Sequence, residues 1–193
     1  MMPMKKVVFW SALITAGLLL LVSGCIPIPI PIDLGNPGLE PMVMEVPEGA
    51  TSTTSEATWT SFTIRHQDIE NAQREAGVPG TVQFHKIEVT GRIEVEGDLK
   101  VNGFIGFSTT EPTSTPTTGD FSLNIDTSIK PDYDISLSSD DSPALKTALN
   151  RINNGEDVTL WVILGYESIE STNGATVTIT VNNVRLWITW TAW

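Results

Sequence analysis

Residues 176–190 read TVTITVNNVRLWITW. Apolar and polar residues alternate on both sides of Asn182 and Asn183, and a period of two is typical of a half-buried β-strand. Because Asn tolerates the positive φ angles of a type I′ turn, the pair predicts a tight hairpin. This turn would pair Val181 with Val184 and place the aliphatic residues of both strands on one face. The stretch predicts a sheet with one face in a core.

The same alternation runs through residues 87–107, where aliphatic residues are interleaved with charged and polar ones. A three-residue loop at 96–98 keeps all the aliphatic residues on one face, because it sets Val95 opposite Leu99. A two-residue loop would set Val95 opposite a lysine. This stretch therefore predicts a second hairpin.

Weaker strand patterns lie at 120–126 and 132–138, and residues 158–166 read VTLWVILGY. The last segment is apolar on both faces, which predicts a central strand that is covered on both sides. The pattern favours an all-β fold, mainly an antiparallel β-sandwich of about 7–8 strands, for a domain over 58–193. An open sheet with one helix as its cover is the alternative.

One short helix is predicted near 142–153. Ser142 is a suitable N-cap, and Pro143 suits the first helical position. Gly155 can end the helix. An apolar stripe follows the spacing i, i+3, i+4 and i+7, and it comprises Leu145, Ala148, Leu149 and Ile152. A second, shorter helix at 68–76 is also possible.

The first 24 residues have the pattern of a signal peptide: Lys5 and Lys6, then an apolar run, then small residues. Residues 22–25 read VSGC, and Cys25 is the single cysteine. The string resembles the lipobox of bacterial lipoproteins. This resemblance implies that Val22, Ser23 and Gly24 are recognised by a signal peptidase, which cleaves before Cys25, and that Cys25 carries a diacylglycerol thioether. An uncleaved membrane-spanning helix is the alternative.

The resemblance also bears on localisation. Position 26 is Ile, whereas Asp there marks retention in the inner membrane of enteric bacteria. The expected location is therefore the outer membrane where two membranes exist, or otherwise the cell membrane, with the domain facing the periplasm or the exterior. The membrane is the expected partner, through the lipid anchor.

Residues 26–32 read IPIPIPI, and Gly, Pro, Ser, Thr and Glu are frequent from 33 to 57. Alternating prolines favour polyproline II, which would make a stiff stalk of roughly 20 Å at about 3.1 Å per residue. The segment 25–57 is therefore predicted to be the lipidated cysteine and a tether. A first strand near Val43 that packs onto the domain is the alternative.

Charge limits the classes of partner. The chain has 23 acidic and 11 basic residues, and two of the basic ones precede Cys25. The nine that remain against 23 acidic residues leave the mature chain a formal charge of −14. This charge argues against nucleic acid and against electrostatic docking to anionic lipid.

No sequence pattern indicates a catalytic site or a cofactor. Two acidic pairs flank one predicted strand, and oxygen-rich loops can bind Ca²⁺. The weak calcium candidates are Asp132, Asp134, Asp140 and Asp141. Solvated turn residues and helix caps explain the same residues, so no metal site is expected.

Tryptophans offer the better indication of a binding surface. Trp187 and Trp193 share the non-aliphatic face of the last predicted strand with Arg185. Exposed tryptophans on a flat sheet would suit sugar rings or a protein partner. The alternative is that these rings pack under the helix or the tether.

The expected function is a lipid-anchored cell-envelope lipoprotein with a non-enzymatic structural or protein-interaction domain, whose partner would be an envelope protein. A carbohydrate- or small-ligand-binding lipoprotein that uses the Trp187 and Trp193 face is the alternative, with a glycan as partner. A hydrolase is a third, weaker alternative.

Overall fold

The computed structural model describes residues 28–52, 56–78, 80–130 and 132–190. Residues Ile30–Ile188 form one compact unit. Of the residues outside this unit, only 28–29 and 189–190 are described.

In the described part of the chain, ten strands form two five-stranded antiparallel sheets. Sheet A has the order β1-β10-β5-β8, and β2 also pairs with β10. Its strands are β1 (Ile28–Gly35), β2 (Met42–Val46), β5 (Phe84–Gly97), β8 (Asp132–Ser138) and β10 (Ala175–Trp190). Sheet B has the order β3-β9-β6-β7, and β4 also pairs with β9. Its strands are β3 (Thr51–Ser52), β4 (Glu56–Ile64), β6 (Lys100–Ser108), β7 (Phe121–Asp126) and β9 (Val158–Glu170).

A single hydrophobic core contains the inward side chains of both sheets. Ile87 and Leu186 are contributed by sheet A, and Leu160 and Val101 by sheet B. The predicted class, an all-β sandwich with a short helix, is confirmed.

The described residues include two helices, α1 (His66–Glu75) and α2 (Pro143–Asn153), whose buried side chains belong to the core. The predicted helix near 142–153 is confirmed in its details. The Ser142 hydroxyl accepts a hydrogen bond from the backbone N–H of Leu145 at 3.2 Å, and Gly155 follows the helix with a φ of 78°. The whole predicted apolar stripe is buried. Helix α1 begins at His66, two residues before the predicted start at 68.

The predicted hairpin turn at Asn182 and Asn183 is wrong. β10 runs without interruption along β5, from Ala175 opposite Gly97 to Ile188 opposite Phe84. Val181 pairs with Gly91 and Asn183 with Thr90, so Asn182 is the extra residue of a β-bulge. No non-glycine residue in the described part of the chain has the positive φ that a type I′ turn requires.

The predicted hairpin at 96–98 is also wrong. Val95 belongs to sheet A, whereas Leu99 leads into β6 of sheet B. The chain crosses between the sheets at Gly97, whose φ of 105° favours glycine. Both aliphatic sets are nevertheless buried, because they meet the same core from opposite sheets.

The predicted tether over 25–57, and with it the domain start at 58, disagrees with the described residues 28–52. β1 lies beside β10 in sheet A, and Ile32 is completely buried. Pro29 and Pro31 are exposed, while Ile30 and Ile32 pack inward. Because β1 ends the order of sheet A, prolines that lack an N–H are tolerated there.

The prediction of a covered central strand at 158–166 is confirmed. β9 pairs with β4 on one side and with β6 on the other. Its inward residues reach the core, and on its outer face Ile163 and Gly165 are buried as well. The Phe104 ring lies directly against Gly165, and Gly119 of the following loop lies against Phe104.

Candidate functional site

Two polar surfaces on the outer faces of the sandwich are candidates for function. The first contains the predicted face and is called the sheet A network: Asp33, Glu88, Ser136, Asn183, Arg185 and Trp187. The second is a concavity on sheet B that the sequence did not predict.

Arg185 is the centre of the sheet A network. Its Nε donates to Asp33 Oδ1 at 2.7 Å, and its Nη1 lies 3.6 Å from Glu88 Oε2. Its guanidinium also lies 5.8 Å from the centroid of the Trp187 ring, within cation–π range. Arg185 therefore ties β1, β10 and β5 together across the face of the sheet.

Trp187 is half-buried, and its polar edge is bound within the protein. The indole Nε1 donates to Glu88 Oε2 at 3.3 Å, while the other oxygen of Glu88 accepts from the Ser136 hydroxyl at 3.0 Å. The Glu88 side chain is only 17% exposed. Trp193, the other predicted tryptophan of this face, lies outside the described residues.

Asp33 carries the ionic contact of β1. Hydrogen bonds from Asn183 and Arg185 lower the pKa of its carboxyl, and the charge of Arg185 acts in the same direction. The Asn183 amide N–H₂ donates to Asp33 at 2.9 Å, while its buried amide oxygen accepts no hydrogen bond from the described residues. The ionised form of Asp33 is therefore the one that this surface stabilises.

The four acidic calcium candidates do not come together. Asp132 pairs with Arg92 at 2.7 Å, and Asp140 lies 3.7 Å from Lys86. Separately, Asp141 accepts from the Ser138 hydroxyl, and Asp134 stands opposite Arg92 in the register of β5 and β8. Within the described ranges, no group of three or more His, Cys, Asp or Glu side chains could hold a metal ion.

The predicted lipidation residue Cys25 and its recognition residues Val22, Ser23 and Gly24 lie outside the described residues. The described strand nearest to them is β1, which begins at Ile28. Across the described ranges, neither helix is long and apolar enough to cross a membrane.

The concavity on sheet B has a volume of about 650 Å³ and is called the sheet B groove. It lies across the ends of four strands, next to the β7–β8 turn. Its lining residues are Thr51, Ser52, Lys100, Val101, Asn102, Asn124, Ile125, Asp126, Ile129, Tyr133, Ser168, Ile169 and Glu170.

Two rows of polar side chains cross the floor of the groove. In one row, Lys100 pairs with Glu170 on β9 and with Asp126 on β7. In the other row, Asn102 pairs in the same way with Ser168 and Asn124. The Asn102 amide donates to the Ser168 hydroxyl at 3.1 Å. The groove is therefore a grid of hydrogen-bonding groups about 4.8 Å apart between strands.

The margin of the groove is apolar. Ile129 in the β7–β8 turn is 81% exposed, although it is a large hydrophobic residue. Tyr133 also lines the groove and packs partly against the core. Its hydroxyl accepts a hydrogen bond from the backbone N–H of Asp126 at 3.4 Å, and Lys130 Nζ lies 5.2 Å from its ring centroid. Asp126, at the foot of the turn, has its pKa lowered mainly by a hydrogen bond from the Ser128 hydroxyl.

A β-bulge adjoins the floor of the groove. Asn102 pairs with Ser168, but Gly103 pairs with Tyr166, so Glu167 is an extra residue in β9. The bulge resets the alternation, and it lets Ser168 and Glu170 face outward while Tyr166 and Ile169 remain buried. Bulges often occur beside functional sites because they redirect side chains.

The sequence matches no protein-family model and no curated protein. Among solved structures, the crystal structure of the Israel acute paralysis virus pentamer is similar, with a TM-score of 0.33 and 10% identity. The match covers 82% of this chain and 88% of that chain. A likeness with so low a TM-score supports no inference about function.

Proposed function

We propose that this chain is a lipid-anchored cell-envelope protein whose β-sandwich is a non-enzymatic structural or protein-interaction domain. The sequence supports the anchor through the apolar run, the VSGC string at 22–25 and the single cysteine within it. One acyl chain binds a bilayer only marginally, whereas two or three anchor a protein stably. A fully acylated Cys25 would therefore suffice for a domain with a formal charge of −14.

The observation that carries the proposal is the position of β1. Ile28, the first residue of this strand, is three residues after Cys25. Three residues span at most about 11 Å, at no more than about 3.6 Å each. A lipid on Cys25 would thus hold the sandwich itself at the membrane surface, in place of the predicted stalk.

The use of charged side chains supports a structural or interaction role. Arg92 joins β5 to β8 through Asp132, and Arg185 joins β10 to β1 through Asp33. These pairs lie on an outer sheet face and connect neighbouring strands. They fix the register of the sheet, which is a structural use of charge.

The proposal is tested by metabolic labelling of the full chain with an alkyne fatty acid, followed by mass spectrometry of the mature N-terminus. The chain as it stands is expected to take up the label at Cys25 and to fractionate with membranes. Cys25→Ala should take up no label, and it should be released or remain an uncleaved precursor. Ile26→Ala, which changes the next residue and keeps the thiol, is the matched control and should be labelled.

Two results would contradict the anchor: an unlabelled native chain, or a Cys25→Ala chain that is cleaved at the same point and stays in the membrane fraction. Either result would leave the sandwich without its proposed attachment.

A further inference from the structure

The polar groups of the sheet B groove have unused hydrogen-bonding capacity. The side chains of Asn124 and Glu170 have no hydrogen-bond or ion-pair partner among the described residues. Lys100 makes one long contact, 3.9 Å from Asp126, and its side chain is mostly exposed. A concave surface that presents donors and acceptors together in this way is suited to a polar ligand.

The charge of the lining residues indicates which class of polar ligand the groove would bind. Lys100 contributes one positive charge and Asp126 and Glu170 two negative ones, so the lining is close to neutral. Phosphate groups would need several cationic side chains, and Lys100 stands between the two carboxylates where a cation would have to bind. The lining therefore favours an uncharged ligand rich in hydroxyl groups, each of which donates and accepts.

Size and shape agree with this chemistry. A volume of about 650 Å³ is within the usual range for small-molecule sites, roughly 300–1,000 Å³. The floor of the groove offers hydrogen bonds, while Tyr133 and Ile129 offer apolar surface at the margin. A sugar has the same division, since its hydroxyls lie at the ring edge and its C–H groups form apolar faces.

We propose that the sheet B groove binds a neutral saccharide, with Asn102, Asn124 and Glu170 as hydrogen-bonding residues and Tyr133 and Ile129 as the apolar margin. This site is on the opposite sheet from the predicted Trp187 and Arg185 face. It does not depend on lipidation of Cys25, so the two proposals can fail separately.

The groove also lies at the end of the sandwich that is farther from Asp33 of β1. Asp33 of β1 is level with Asn183 and Arg185 on β10, whereas Met42–Val46 pairs with the segment of β10 from Ile179 back to Ala175. The chain therefore runs towards the Ala175 end of β10. At that end the backbone N–H of Asp98 donates a hydrogen bond to the carbonyl of Gly174, just before β6 begins.

The test is isothermal titration calorimetry of the purified full chain with cellotriose, maltotriose and triacetylchitotriose, each to about 10 mM. At least one of these is expected to bind with a Kd of about 1 mM or below. Asn124→Ala and Glu170→Gln should each weaken this binding at least tenfold. Asn150→Ala, at an exposed position of α2, is the matched control and should bind normally.

Thermal unfolding of the same variants separates a loss of binding from a loss of stability. The side chains of Asn124 and Glu170 make no hydrogen bond or ion pair in the described structure, so their replacement should leave Tm unchanged. The proposal is overturned if none of the three sugars gives heat. It is also overturned if Asn124→Ala binds as well as the native chain. Loss of binding in Trp187→Ala alone would move the ligand to the sheet A network and overturn it too.

Discussion

The sheet A network and the sheet B groove are built from the same residue types and use them in opposite ways. On sheet A, Glu88 accepts hydrogen bonds from Trp187 and Ser136 and lies within ion-pair distance of Arg185. On sheet B, Asn124 and Glu170 have no such partner within the described ranges. Polar groups that are satisfied internally hold strands together, whereas groups left open on a concave surface remain available to a ligand.

The difference is that the polar groups of Arg185 and Trp187 are bound within the protein, whereas the side chains of Asn124 and Glu170 have no partner among the described residues. Ligand binding by the Arg185 and Trp187 face stays a prediction. Arg185 and Trp187 were predicted to bind a ligand because they share the outer face of one strand. Their partners, Asp33 and Glu88, come from strands that the sequence did not place beside them. The stability of variants on each surface is the direct way to examine this contrast.

The largest effect is expected for Ile32→Ala, which removes the buried anchor of β1. Ile32 is completely buried, and truncation of a buried isoleucine costs about 2–5 kcal/mol. The free energy of unfolding in urea should fall by that amount, with an unchanged denaturant slope. If β1 loosens, Asp33 also leaves the sheet A network.

Ile129→Ala is the matched control for this change, because it makes the same substitution at the 81% exposed margin of the groove. It should alter the free energy of unfolding by less than about 0.5 kcal/mol. Equal, small losses in both variants would mean that residues 28–35 behave as the tether that the proline pattern predicts, and the sheet A network would lose its first strand.

A smaller effect is expected for Glu88→Ala. The change leaves the Trp187 N–H and the Ser136 hydroxyl without their acceptor, and it removes one of the two carboxylates near Arg185. Hydrogen bonds to a charged group that is mostly buried contribute about 1–3 kcal/mol, so a loss near the lower limit is expected for this partly solvated cluster.

Glu96→Ala on the same strand is the control, since Glu96 is exposed and should change stability little. Tryptophan fluorescence gives a second measurement, because Trp187 should become more accessible to acrylamide in Glu88→Ala. If Glu88→Ala is as stable as Glu96→Ala, the sheet A face is not structural, and the contrast with the groove fails.

The helix at 143–153 could be predicted because its signals are local. Ser142, Pro143 and Gly155 each act on backbone groups within a few residues, and the apolar stripe has only one period that fits it. The central position of β9 was predictable for a similar reason. A strand that is apolar on both faces needs cover on both sides, whatever its neighbours are.

The hairpin at Asn182 and Asn183 could not be distinguished from a bulge by pattern. A two-residue turn places Val181 and Val184 on one face, and a one-residue bulge in a continuous strand does the same. The pairing of β10 with β5 decides between them. The loop at 96–98 has a similar ambiguity, because residues on one face of a hairpin and residues facing each other across a sandwich have the same alternation.

The proline-rich segment was misread because two periods coincide. IPIPIPI suits polyproline II, but it also places every isoleucine on one face of an extended strand. Only the edge position of β1, where no donor is needed from Pro29 or Pro31, makes the strand possible. The groove could not be predicted from the sequence. Its polar residues form no motif, and β6, β7 and β9 become neighbours only in the folded sheet.

The smallest expected effect is a change in the free energy of unfolding at acid pH, which compares one carboxyl group on each surface. The pKa of Asp33 is lowered by Asn183 and Arg185, so the ionised carboxyl stabilises the fold above the ordinary pKa of about 3.8. This contribution is lost as the pH falls through the lower, folded-state pKa. The Asp33 side chain is 53% exposed, so solvent screening should keep the contribution below about 1 kcal/mol.

Asp33→Asn should therefore be less stable than the native chain at about pH 6, and the gap should close by about pH 2, as measured by urea unfolding at each pH. Asp126→Asn is the control in the groove. The pKa of Asp126 is also lowered, but mainly by Ser128 two residues away, a contact that the unfolded chain can form as well. The difference in stability between Asp126→Asn and the native chain should be smaller at every pH than the difference for Asp33→Asn. Native and Asp33→Asn chains that lose stability in parallel would show that the ion pair between β1 and β10 contributes nothing.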